Sequence, residues 1–151
     1  MHKNIHFVFF FLLTFQLIQA QQLQVSTTYA AQQGRVSEEI TPSVHLKNNS
    51  NHTMELRWER IRNNMPSGWD AVVCDKQCYS TLIESRSFTL APGESISDFR
   101  VSFRPNGVEG IGNVEIKIYG VKIPSNSVTV SLNGSAHSAA STSLASSSVP
   151  S

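Results

Sequence analysis

The sequence is poor in the residues that carry most protein chemistry. Of its 151 residues two are cysteine and five are histidine, and only 15% are Asp, Glu, Lys or Arg. Neither charge is in surplus. Beyond residue 20, eleven acidic residues between Glu38 and Glu115 balance eleven basic residues between Arg35 and Lys122. A neutral chain lacks the excess of Lys and Arg that displaces counterions from nucleic acid. It equally lacks the basic cluster that holds a protein on an anionic membrane. Neither partner is expected. There is no Gly-x-Ser-x-Gly, no His-Glu-x-x-His and no phosphate-cradling glycine loop. His45 and His52 are the only histidines between residues 21 and 132. His45 reads as outward-facing on a strand and His52 as part of a turn, so neither suggests a triad. No catalytic site, cofactor or metal is expected, and the chain does not read as an enzyme.

Long apolar runs are also missing. The longest, Ile5 to Ile18, covers 14 residues, against roughly 20 for a membrane span. It follows His2 and Lys3 and precedes Gln19-Ala20-Gln21. A basic start, a short apolar stretch and a small residue describe a secretory signal peptide, cut after Ala20. The expected location is therefore secreted, periplasmic or on the cell surface, without membrane insertion once the signal is removed.

From Ile123 onward there is no Asp, Glu, Lys or Arg, and eight of the residues from Asn133 to Ser151 are serine. Such a composition buries too little apolar area to offset its ordering entropy. The expected organisation is a signal at 1–20, one domain at 21–132 and a flexible Ser/Ala-rich tail or linker at 133–151.

What the middle holds is alternation. Met54, Leu56 and Trp58 alternate with charged neighbours; Phe99, Val101 and Phe103, then Val114, Ile116 and Ile118, then Val128, Val130 and Leu132 alternate with charged or polar ones. A period of two predicts strands with one apolar face. Val44 and Leu46 flank His45 in another. Leu23–Tyr29, Ala71–Cys74 and Ser87–Leu90 give weaker signals. Turn clusters stand at 48–51, 66–68, 91–94 and 105–107. No window suits an amphipathic helix. Seven to eight short strands predict an all-β, antiparallel sandwich, because stacking two sheets buries each apolar face. The expected core includes Leu46, Leu56, Trp58, Phe99, Val101, Phe103, Val114 and Ile116.

Cys74-Asp75-Lys76-Gln77-Cys78 is the most chemically suggestive stretch. In an exported chain the two thiols are expected to close a local disulfide. Two alternatives stand beside it: a soft Cu(I) site that borrows a histidine, and a redox-active pair. Trp69 and Tyr79 form a candidate binding surface for a protein or glycan, although Trp69 beside Gly68 also suits a cap on the core. Asn48, Asn51 and Asn133 each open an Asn-x-Ser/Thr triplet, a glycan acceptor in a eukaryotic secretory protein and an Asn-rich turn in a bacterial one.

The order Met65-Pro66-Ser67-Gly68-Trp69, Val73-Cys74-Asp75, Cys78-Tyr79, Leu90-Ala91-Pro92-Gly93-Glu94 and Gly110-Ile111-Gly112 resembles an immunoglobulin-like or fibronectin-like domain of exported Bacteroidetes proteins. In those proteins it often precedes a type IX secretion sorting domain. The resemblance implies a β-sandwich, a disulfide between Cys74 and Cys78, and a non-catalytic interaction, adhesion or spacer role. The alternative roles are copper or thiol handling through Cys74 and Cys78, and carbohydrate binding through Trp69.

Overall fold

A computed structural model describes residues 22–139. The expected signal at 1–20 and most of the expected tail lie outside them. Nine strands follow one another: β1 (Leu23–Val25), β2 (Tyr29–Arg35), β3 (Ser43–Asn48), β4 (Met54–Asn64), β5 (Asp70–Cys74), β6 (Ser85–Leu90), β7 (Ser95–Arg104), β8 (Gly110–Gly120) and β9 (Ser127–His137). They form a four-stranded sheet, β1-β3-β7-β5, and a five-stranded sheet, β2-β9-β8-β4-β6. Among the described residues no helix is long and apolar enough to cross a membrane.

The alternation expected from the sequence is what fills the space between the sheets. All eight expected core residues are fully buried, and Trp58, Phe99 and Phe103 are the bulkiest. In β4 the period runs through Leu56, Trp58 and Arg60, then breaks at a bulge between Arg60 and Arg62. Ile61, next in the same alternation, faces solvent and is 52% exposed. At Pro105-Asn106-Gly107 the chain turns with positive φ at both Asn106 (53°) and Gly107 (84°). Asn and Gly tolerate that region better than other residues.

Three expectations need correction. The sandwich is not purely antiparallel, because β2 runs parallel to β9, from Tyr29↔Ser131 to Arg35↔His137. The strand number is nine, because the weak Leu23–Tyr29 signal divides into β1 and the start of β2. At Ser26–Thr28 the chain leaves one sheet for the other. Ser26 N donates to His45 O (2.9 Å), and Ser131 N donates to Thr28 O (2.8 Å). Having crossed, it lies beside β9 in the same direction. The sequence Tyr-Ala-Ala-Gln-Gln-Gly-Arg of β2 shows no alternation, because the β9 ladder rather than an apolar face holds it.

The third correction concerns the end of the domain, which runs past Leu132 to His137. Small residues are what this stretch needs. A Cβ at Gly134 would stand 2.8 Å from the Phe103 ring, and Ala136 is buried. The Gly/Ser/Ala composition leaves room for a large aromatic supplied by the opposite sheet.

Candidate functional site

The chain order places the cysteine segment at a crossing. β4 belongs to the five-stranded sheet, β5 to the four-stranded, and β6 again to the five-stranded. β5 and β6 are edge strands on the same side of the sandwich. Residues 75–84 therefore pass from one sheet edge to the other and close that side.

Ala71 and Val73 of β5 point into the core. Cys74, one position further, pairs with Arg100 of β7 and is joined by a disulfide to Cys78. The copper reading needs those thiols free and a histidine beside them. His45 and His52 are both exposed. Among the described residues no group of three His, Cys, Asp or Glu is placed to hold a metal.

The organising group of the crossing is Asp75, a buried carboxylate that is only 6% exposed. Its Oδ2 accepts from Trp58 Nε1 (2.9 Å). Its Oδ1 accepts from the Tyr79 hydroxyl (2.9 Å), Gln77 N (3.3 Å) and Lys76 N. A carboxylate with this many donors can stay out of water, which an unpartnered one cannot. The arrangement ties loop, disulfide and core tryptophan together. The Tyr79 ring packs on Trp58 (centroids 5.8 Å apart), with the Arg86 guanidinium over it at 5.0 Å. Tyr79 N donates to Val73 O at 3.1 Å.

Two ion pairs flank the crossing. Lys76 Nζ reaches Glu94 Oε1 at 2.6 Å. The hydrogen bond from Lys76, followed by one from Ala91 N, holds the Glu94 carboxyl below its usual range. Arg60 points inward from β4, donates to Ala71 O (3.4 Å) and stands 3.7 Å from Glu84. Burial pulls its guanidinium below the usual arginine range, against the opposing effect of Glu84.

Of the candidate binding residues, Tyr79 is half-buried with its hydroxyl bound to Asp75. Trp69 does not face solvent. It is 7% exposed, meets Phe103 edge-on at 6.2 Å, and donates from Nε1 to Val108 O (2.9 Å). That corrects its expected place on a binding surface: it caps the core.

Of the two readings of Asn48, the turn holds and the glycan acceptor does not. Asn48 is fully buried, its Nδ2 donates to the carbonyls of His52, Leu90 and Ala91, and its Oδ1 accepts from Ser50 N and Oγ. In the folded chain it has no free amide for a glycan, whereas Asn51 is exposed. Beside this turn, at the same end of the sandwich, lies a cavity of about 160 Å³ bordered by Leu23, Met54, Leu56, Ile123 and Val128.

The sequence assigned no role to Asp75 or Arg60. A usable signal existed for Asp75 alone, as an acid within the five residues closed by the cysteines.

Comparison with protein-family models and with curated protein sequences returns no match. Solved structures do match. The N-terminal domain of PorA superposes with a TM-score of 0.61 at 14% identity, over 76% of this chain and 97% of that one. The ASH/PapD-like domain 7 of human CEP192 gives 0.45 at 14% identity, over 79% and 87%. The FixG-related protein from Vibrio parahaemolyticus gives 0.47 at 12% identity, over 76% and 96%. At such identities the likeness concerns fold alone, and the fold is an immunoglobulin-like β-sandwich.

Proposed function

We propose that the chain is an exported, non-catalytic immunoglobulin-like module that serves as a spacer or adhesion unit, of the kind found in bacterial cell-surface proteins. The observation that carries this reading is the placement of its terminal strands. Leu23, at the start of β1, borders the same cavity as Ser127 and Val128, where β9 begins. β9 then runs away from that end to His137, roughly 30 Å at about 3.4 Å per residue. The chain thus enters at one end of the sandwich and leaves at the other, as an in-line spacer requires.

The parallel β2–β9 pair suits that role. Tension applied through the two ends shears the register from Tyr29↔Ser131 to Arg35↔His137. All of its hydrogen bonds then resist together instead of peeling in turn. Export is supported by the apolar segment before Gln21 and by the disulfide, which persists in oxidising compartments.

Single-molecule pulling between positions 22 and 137 tests the spacer reading. One high-force unfolding event is expected, lowered by Ala30→Pro in β2. Gradual unfolding at low force contradicts it. N-terminal sequencing of the protein made in its own host tests export, with Gln21 as the expected first residue.

A further inference from the structure

We propose that Cys74 and Cys78 form a thiol–disulfide exchange site in which Cys78 is the sulfur that meets a partner dithiol. This goes beyond the spacer reading and does not depend on it. Three observations carry it.

The two sulfurs are unequal. Cys74 is 2% exposed, while Cys78 is exposed. A thiolate arriving from solvent reaches the second and not the first.

A fixed cation stands beside the reachable sulfur. Arg100 Nη2 lies 3.8 Å from Cys78 Sγ. The guanidinium is held from behind by the Asp98 carboxylate at Nη1 and by Ser102 Oγ at Nε (3.4 Å). An arginine so placed stabilises a thiolate on Cys78, the reactive form in exchange.

The loop is held by contacts other than the S–S bond. Asp75 is bonded to Trp58 Nε1, the Tyr79 hydroxyl and two loop amides, and Tyr79 N is bonded to Val73 O. After reduction these contacts keep the two sulfurs adjacent, so the bond can re-form without a search.

The chemistry is a balanced two-electron exchange. One thiolate of a dithiol attacks Cys78 Sγ. The Cys74–Cys78 bond breaks, and Cys74 Sγ leaves with the electron pair and takes up a proton. The second thiolate of the dithiol attacks its own sulfur in the mixed disulfide and releases Cys78 as a thiolate beside Arg100. Two electrons pass from the dithiol to the pair; of the dithiol's two protons, one is balanced by protonation of Cys74 and the other is released to solvent, Cys78 remaining a thiolate. Run in reverse, Cys78 attacks a disulfide on a partner and Cys74 resolves it.

The test uses the full chain and oxidised glutathione as the probe, with the mixed disulfide located by peptide mass mapping. Cys74→Ser, which keeps Cys78, is expected to form the adduct at least about tenfold faster than Cys78→Ser. Adding Arg100→Gln to Cys74→Ser slows adduct formation several-fold, and Arg100→Lys in the same background restores it. Wild-type protein reduced with dithiothreitol keeps the near-ultraviolet signature of its tryptophans and recloses on oxidised glutathione. Equal rates for the two serine variants, a rate indifferent to Arg100→Gln, or loss of that signature on reduction each overturn the proposal.

Discussion

The chain changes sheets at Ser26–Thr28 and again across residues 75–84, and the two crossings are built differently. The first is short, exposed and held by backbone bonds, with side-chain contributions from two hydroxyls: Ser26 Oγ accepts from His45 N at 2.9 Å, and Thr27 Oγ1 bonds the Tyr29 backbone. The second carries a disulfide, a buried carboxylate and a tyrosine whose ring packs at a tilt on the core Trp58. The difference follows from the length of each crossing. β1 and β2 are edge strands with one partner each, β3 and β9, and only a three-residue step separates them, so their ladders hold the step in place. β5 and β6 are likewise edge strands with one partner each, but ten residues separate them. A connection of that length has conformational freedom to lose, and here it contains its own anchors. Ladders suffice for a short step between paired strands, whereas a long one needs side chains from the core.

If so, Asp75→Ala has the largest effect. It strands the Trp58 indole N–H and the Tyr79 hydroxyl away from their acceptor, and it should cost about 3 kcal/mol or more in denaturant unfolding. A loss below about 1 kcal/mol would remove the carboxylate from the centre of the crossing. Replacing both cysteines by serine comes next. The loop they close is short, so the loss should be about 2 kcal/mol, and it should grow when Asp75→Ala is already present. Additive losses would mean that bond and carboxylate act independently. Ser26→Ala at the first crossing should cost less than about 1 kcal/mol, because water replaces the exposed acceptor. A cost equal to that of Asp75→Ala would erase the contrast between the two crossings.

The smallest effect concerns pH. The Glu94 carboxyl is depressed in the folded protein by Lys76 and Ala91 N. Its stabilising contribution is present above the unfolded carboxylate range and is lost as pH falls through the lower folded value. Glu94→Gln should therefore cost a little stability at neutral pH, cost less in acid where the carboxyl is protonated anyway, and so flatten the acid limb of the stability profile. A loss in acid as large as that at neutral pH would break that assignment.

Much of the fold was legible in the residues because period-two alternation is a local signal. Trp58, Phe99 and Val114 could be assigned to the core from their immediate neighbours. β2 was not legible, since Ala-Ala-Gln-Gln-Gly has no apolar face and owes its state to the β9 backbone. The last residues of β9 were misread for a related reason. Gly134 looks like linker material until Phe103 is known to occupy the space above it. The site was legible in part. The cysteines stood out by their scarcity and their oxidising context. The role of Asp75 did not, because its partner Trp58 lies 17 positions away in another strand. Trp69 was readable as either surface or cap, and only its bond to Val108 O, across 39 positions, separates the two.

The sequence by itself determined the all-β class and the identity of the core residues. These depend on composition and on spacing between near neighbours. The tertiary structure alone decided that one terminal pair is parallel, that Asn48 and Trp69 face inward, and that the Arg100 guanidinium reaches the sulfur of Cys78. Each of those outcomes depends on which distant strands become neighbours, and packing between sheets settles that over separations that no local pattern encodes.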